Sequence, residues 1–454
     1  LSGPRPFERR DAVGYTTNMS PSKASRGAIP VLILILVGAS LGVAQEWPRF
    51  RGPAGAGILD GQNLPVRWNV QSGDNVRWRT PIPGIGHSSP VVWGDRVFVT
   101  TAVSGADEEL VLGDDGGIGM ASDDDSFSWR LYCLDARSGD VLWEREAYSG
   151  SPRATRHLKA SQANSTPATN GEVVVALFGS QGLKAFDLEG NVEWEVDLGV
   201  LDPGLFGDPG SHWGHSSSPV IWRDRVFVQV DRHADSFIAA YEVASGREIW
   251  RVPRDEKPVW ATPLVHEGSK RTELIVFGGD WERGLDPETG EELWRYARDY
   301  EVKTSSPVVA GDLLIVSGGY RATPLVALPV PATGTVERPV WESEPGGPYT
   351  PTPIVYGEHI FFTRNTGVLT VLSLASGERL HRQRLGGNFS ASPVASDGKI
   401  YLPSEEGTVT VISAAAEPEI LAQIDMGTSL MATPAIAGGT LFIRTQDHLY
   451  AIGQ

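Results

Sequence analysis

The sequence predicts an all-β chain folded as an eight-bladed β-propeller of four-stranded antiparallel blades, with an N-terminal strand closing the last blade. Three observations carry this. A Ser/Thr-Pro pair followed by an apolar run recurs eight times, and an Asp–Gly–Trp pattern follows the early copies. Turn residues, 52 Gly and 32 Pro, are also spread along the chain rather than gathered in a linker, as alternation of short strands and turns requires.

The eight pairs are Ser89-Pro90, Thr166-Pro167, Ser218-Pro219, Thr262-Pro263, Ser306-Pro307, Thr352-Pro353, Ser392-Pro393 and Thr433-Pro434. Their prolines are 77, 52, 44, 44, 46, 40 and 41 residues apart, so the first unit carries an insertion and the others have the length of one blade. Within a unit, Val91-Val92-Trp93 reads as a strand, Gly94-Asp95 as a tight turn, and Arg96 to Thr100 as an alternating second strand. Trp129 to Asp135 is the third strand, and Ser138-Gly139 turns the chain into a fourth ending at Trp143.

The Gly–Trp landmark repeats as Asp135/Gly139/Trp143, Asp187/Gly190/Trp194, Gly246/Trp250 and Asp286/Gly290/Trp294, then degrades to Gly334 with Trp341 and to Gly377 without a Trp. The glycine supplies positive φ at a turn. The Trp is expected between adjacent blades, its N–H on a backbone acceptor. The last unit has only three strands, ending at Leu449–Ile452, while Asn75–Arg79 with Trp78 precedes the first Ser-Pro as an orphan fourth strand. Pairing the two closes the ring and removes sheet edges.

Residues 1–44 stand apart from this pattern. Residues 1–18 read as an over-extended start, and from Met19 the chain reads as a Sec-type signal peptide: Lys23 and Arg26, an apolar run from Ile29 to Val43, and Gly42-Val43-Ala44 before cleavage after Ala44. The run of about 15 residues is short of the roughly 20 that span a bilayer, so a retained anchor is the weaker alternative. No cysteine follows it, which removes the lipid-modified N-terminus. The expected mature chain is therefore one propeller domain over 45–454, periplasmic or extracellular, monomeric and without a transmembrane domain. Its lone Cys133 allows no internal disulfide and reads as a small buried hydrophobe. The signal region carries five basic and two acidic residues, a net +3 whose removal takes the chain from −17 to about −20. So acidic a surface argues against nucleic acid or an anionic membrane as partner.

The Asp–Ser/Thr-Gly–Trp unit with its Ser/Thr-Pro starts resembles the pyrroloquinoline quinone (PQQ) repeat over essentially all of residues 47–452. Trp47-Pro48-Arg49-Phe50-Arg51-Gly52-Pro53, with Gly55 and Gly57, resembles an exported bacterial branch of that family. The resemblance implies a central channel and two different occupations. PQQ-dependent alcohol and sugar dehydrogenases hold quinone and calcium over the channel with a catalytic Asp, a Glu/Asn calcium set and often a disulfide of adjacent cysteines. Non-catalytic relatives include the lipoprotein of the outer-membrane barrel assembly machine, a docking scaffold. Cys133 alone forbids the adjacent-cysteine disulfide, and no match to the dehydrogenase Asp and calcium residues is found.

The residue three or four places before each repeat proline is expected to begin the innermost strand, so eight positions should ring one mouth: His87, Asn164, His215, Trp260, Lys303, Tyr349, Phe389 and Met431. Their chemical diversity, donors beside aromatic faces, points to a ligand site; a solvated rim of turn residues is the competing reading. Two long connections, 147–162 and 200–215, should project over the same mouth. The first carries the basic cluster Arg153, Arg156, His157 and Lys159, suited to a carboxylate or phosphate, and the second Asp208, His212 and Trp213.

The acidic insertion 104–126 reads as a flexible solvated excursion, and its carboxylates match no calcium loop. His212 and His215 lack further zinc ligands, so no metal is assigned. Scattered Ser, His and Asp residues form no nucleophile elbow. The function expected is a non-catalytic exported propeller that binds a small molecule, glycan or protein segment at the channel mouth and requires no cofactor. The alternative is a PQQ- and calcium-dependent alcohol or sugar dehydrogenase.

Overall fold

The structure, a computed structural model, describes Gly14 and residues 46–106, 110–113, 117–208, 210–299, 301–320 and 323–454. The signal-like segment and Asp107, Glu108, Glu109, Asp114 and Asp115 of the insertion lie outside the described residues. Val43–Gln454 form one compact unit, an all-β ring of eight blades. Each blade's first strand is innermost, and at six of the eight junctions it touches the first strand of the neighbouring blade.

The first blade runs outward through Val91–Trp93, Arg96–Ser104, Phe127–Asp135 and Val141–Gly150. The innermost strands of the next six are Ala168–Thr169, Val220–Trp222, Leu264–Glu267, Val308–Ala310, Ile354–Tyr356 and Val394–Ser396. Blade 8 is assembled from both ends of the sequence: Ala435–Ala437, Thr440–Arg444 and His448–Ile452, then Val76–Pro81 antiparallel to His448–Ile452. The orphan Trp78 strand therefore closes the ring. Blade 4 gains a short parallel fifth strand, Gly334–Thr335, against Glu292–Ala297.

Strand limits differ from expectation in three places. The fourth strand of blade 1 does not end at Trp143; it starts at Val141 and runs to Gly150. The second strand is not half-exposed, because Val97, Phe98, Val99 and Thr100 are all buried. Each blade is sandwiched between two others, so both faces of its middle strands are core, and an apolar run replaces alternation. The innermost strands begin after the prolines, not three residues before them.

The reason for that last shift lies in the Ser/Thr-Pro repeat itself. Its backbone N–H donates to the Ser/Thr hydroxyl of the next blade: Ser89 to Thr166, Thr166 to Ser218, Ser218 to Thr262, Thr262 to Ser306, Ser306 to Thr352, Thr352 to Ser392 and Ser392 to Thr433, all at 2.9–3.1 Å. Each motif is thus a link in a buried belt around the channel, and the proline has no N–H to compete. The belt has one gap: the Ser89 hydroxyl meets no partner among the described residues. At that junction of blades 8 and 1, Arg444 Nη1 donates instead to the Ser88 and Thr100 carbonyls at 3.2 and 2.6 Å.

The Trp repeat is a second set of interblade links. Trp78, Trp143, Trp194, Trp250 and Trp341 donate Nε1–H to backbone carbonyls of the following blade, at Ala136, Leu188, Val243, Pro287 and Leu374. The repeat glycine lies against the Trp of the preceding blade: a Cβ on Gly139 would come within 2.6 Å of the Trp78 ring, and one on Gly246 within 2.6 Å of Trp194.

The belt makes a sharp contrast testable. Thr262→Val keeps the shape but strands the buried Ser218 N–H, and should cost about 1–3 kcal/mol in urea unfolding. Ser89→Ala, at the gap, should cost less than about 0.5 kcal/mol. Equal costs for the two would refute the belt as a source of stability.

Candidate functional site

The channel has two mouths of different construction. The lower one, at the turns between first and second strands, is crossed by the Trp47-Pro48-Arg49-Phe50-Arg51-Gly52-Pro53 motif. Trp47 pairs with Val92 of blade 1, the Pro48 carbonyl accepts from Thr169 of blade 2, and Gly57 and Leu59 bond Ala395 of blade 7. Asp397 accepts from the backbone of Gln62 and Asn63. At its centre Arg51, 1% exposed, enters the channel and donates to five carbonyls: Gly55, Ala56, Thr352, Pro353 and Pro393.

No carboxylate is among those partners, so burial lowers the Arg51 pKa to about 9, and the fully used donor fork keeps the charge bearable. Arg51 holds φ 60, a conformation most residues avoid and that persists only where its surroundings enforce it. Gly52 follows because a Cβ there would lie 2.5 Å from the Trp47 ring. Sequence reading recognised this motif only as a family mark; its role as a plug depends on contacts more than 300 residues away in sequence.

The upper mouth gathers most of the residues expected there, each with its own partner. His87 Nε2 meets the Lys159 carbonyl at 2.9 Å, Asn164 Nδ2 the His215 carbonyl at 3.2 Å, and His215 Nε2 the Ser217 carbonyl at 3.0 Å. Trp260 donates to the Gly214 carbonyl at 2.7 Å and lies 5.8 Å from Trp213, centroid to centroid. Tyr349 packs on that pair and on Tyr320. Lys303 is fully buried, ion-paired with Glu282 and over the Phe277 ring. Met431 borders a cavity of about 10 Å³ with His87 and Arg444, room for one water. Phe389 leaves the ring: it packs into the apolar layer between blades 6 and 7 with Phe361 and Leu402.

The long connections do meet above this mouth, and they bring the insertion with them. Met120 forms a β-bridge with His157. Trp213 Nε1 donates to the Ile118 carbonyl at 3.3 Å and lies edge-on to His157. Arg156 is buried against Asp123 at 3.1 Å, and Lys159 reaches Glu405 of blade 7 at 2.7 Å. Glu405 also accepts from Ser390 and from Gly113 of the insertion. The described part of the insertion is therefore tied to the scaffold at several points rather than a free excursion: Asp123 pairs with the buried Arg156, and the Gly117 and Ile118 carbonyls meet His157 and Trp213. Arg153 remains outside, in an exposed pair with Asp197.

The carboxylates that a calcium-bound quinone would draw on at this end are engaged by cations. The buried carboxylates at this end are all committed to cations: Glu405 to Lys159, Glu282 to Lys303, Asp231 to Arg254 and Glu256 to Arg283. Burial pushes the Glu282 and Asp231 carboxyls upward despite those partners. Among the described residues no group of three acidic, His or Cys side chains is placed to hold a metal. Cys133, packed among Phe98, Leu131 and Phe186, has its thiol pushed up to about 12 by burial.

An eight-bladed ring of four-stranded blades with repeated Trp docking is a PQQ-type β-propeller. The chain belongs to the PQQ-repeat family, matched over residues 58–228, 190–383 and 330–448 by the family described as outer membrane protein assembly factor BamB. No curated protein matches it. Among solved structures it is similar to BamB from Moraxella catarrhalis, at 14% identity and TM-score 0.55 over 83% of this chain and 98% of that one. It is also similar to a europium-containing methanol dehydrogenase, at 11% identity and TM-score 0.61 over 90% and 98%. A third is the quinohemoprotein alcohol dehydrogenase of Comamonas testosteroni, at 12% and 0.60 over 90% and 80%. At these identities the likeness is one of fold.

The buried histidines give the mouth a pH dependence. Burial is the main cause that lowers His87 and His215 from 6.5 to about 4, so the unfolded chain takes up protons between those values and the folded chain does not. Their contribution is complete above pH 6.5 and is lost as pH falls toward 4, up to roughly 3 kcal/mol each. His215→Gln should flatten the stability-versus-pH slope in that window by about one proton, measured by urea unfolding. An unchanged slope would mean that His215 protonates freely in the folded state.

Proposed function

We propose that this protein is a non-catalytic, exported scaffolding propeller that docks a protein segment on the loops above its upper mouth. One observation carries the reading. Large apolar side chains stand exposed on those loops, Ile118 at 70%, Met120 at 44%, Phe206 at 56% and Tyr320 at 55%, above a throat in which His87, Asn164 and His215 each meet a backbone carbonyl. Exposed apolar groups mounted on loops around a narrow throat suit contact with another protein surface better than enclosure of a small molecule or glycan.

The description of the matching family as an outer membrane protein assembly factor supports the same reading, as does the commitment of every buried mouth carboxylate named above. Export rests on the signal-like stretch from Met19 to Ala44; among the described residues no helix is long and apolar enough to cross a membrane. The site proposed comprises His157, Trp260, Tyr349 and the insertion, with Arg156 and Lys303 as buried supports. His87, Asn164, His215 and Met431 form the throat beneath.

Two measurements separate this from the dehydrogenase alternative. A photo-crosslinker at position 206 should capture discrete partner proteins in cells, one at Arg137 on the lower side should not, and Ile118→Ser/Met120→Ser/Tyr320→Ser in the protein carrying the crosslinker at 206 should reduce capture at least fivefold without lowering Tm. Incubation of the purified protein with PQQ and calcium should leave no quinone bound after desalting. Stoichiometric quinone retention with dye-linked alcohol or sugar oxidation would replace the scaffold reading with the enzyme.

A further inference from the structure

The N-terminal plug covers only part of the lower mouth. Its bonds run to blades 1, 2, 6, 7 and 8, and toward blades 3 to 5 it leaves an open pocket of about 750 Å³. Trp222, Leu264 and Pro331 give this pocket an apolar wall, while Glu267 and Asp312 stand on the turns at its edge. Arg49 lines it from the plug side.

The two arginines of the motif have different fates. Arg51 spends its donors on five carbonyls. No described residue accepts a hydrogen bond from the Arg49 guanidinium or pairs with it. Burial lowers the Arg49 pKa to about 10, with the Glu267 carboxylate opposing from a distance. Glu267 itself is held by Trp222, whose Nε1 donates to it at 3.0 Å. A guanidinium with an open fork, beside an apolar wall in a pocket of ligand size, is a recognition site for a planar anion.

We propose that this pocket binds a carboxylate carried on an apolar body, the carboxylate on the fork of Arg49 and the body against Trp222, Leu264 and Pro331. Glu267 and Asp312 repel a second negative charge, so a monocarboxylate is preferred to a dicarboxylate. A free arylalkyl acid and the C-terminus of a peptide ending in an apolar residue share this chemistry. The pocket is on the side opposite the docking loops, so loss of either site leaves the other standing.

Titration calorimetry on the whole protein tests it with three probes: 4-phenylbutyrate, the peptide Ala-Ala-Leu-Phe with a free carboxylate, and the same peptide as its C-terminal amide. The free peptide or the acid should bind and the amide should not; whichever binds tighter identifies the source. Arg49→Met should weaken binding about tenfold or more, as loss of a charge-assisted fork does. Glu267→Gln should strengthen it severalfold by removing repulsion, a gain that damage to the fold does not produce. Absence of binding by both carboxylates, equal binding of the amide, or indifference to Arg49→Met overturns the proposal; the acid–amide comparison needs no variant and stands even where Arg49→Met misfolds.

Discussion

Around the channel, a backbone N–H in each of seven blades donates to a hydroxyl of the next, and every accepting residue except the last, Thr433, donates the following link through its own N–H. Within such a chain of buried polar contacts each lost acceptor orphans an N–H, which away from water costs the desolvation of the group. The demand for a small hydroxyl residue followed by a residue without an N–H falls on seven of the eight blades, which is why the Ser/Thr-Pro pair recurs when the strands around it vary. The Trp–carbonyl links on the rim repeat the same logic at larger radius. The belt ties seven junctions and the Trp links five, among them the junction of blades 8 and 1 where the belt is open, and the pairing of Val76–Pro81 with His448–Ile452 closes the ring across the chain termini.

A ring built this way leaves an axial channel that must be filled or lined. Below, the protein uses its own N-terminal segment and a guanidinium saturated by carbonyls from two distant blades. Above, it uses ion pairs between insertion, loops and blade ends. Buried pairs of this kind add little net stability, because desolvation consumes most of the attraction, but they fix which loop sits where. Lys159 on Glu405 and Arg156 on Asp123 hold the insertion to the scaffold, and the exposed Ile118 and Met120 ride on the segment so positioned.

Much of the architecture was legible because it repeats. Blade number, the closing Trp78 strand and the interblade Trp follow from local signals copied several times. What repetition does not encode was misread: the eight diverse residues before the prolines looked convergent, yet Phe389 belongs to a hydrophobic layer and Lys303 to an ion pair. Their diversity reflects eight different local solutions to burial. The insertion looked solvated because its composition is acidic, while the cation that anchors it, Arg156 on Asp123, lies more than 30 residues onward. The plug was invisible for the same reason, since Arg51 and its acceptors Thr352 and Pro393 share no sequence pattern.

The alternation within Arg49-Phe50-Arg51 shows how one short motif serves both structure and recognition. In an extended segment successive side chains diverge, and residues two apart can share a side; the left-handed turn at Arg51 breaks that rule and swings its side chain into the channel while Arg49 faces the open half of the mouth. A lysine at 51 would lack the five-donor fork that the carbonyl cage requires. At 49 the cage is missing and the fork is left unused. Two identical side chains two residues apart, one saturated and one open, are thus distinguished by backbone conformation alone, and only the saturated one is explained by the fold.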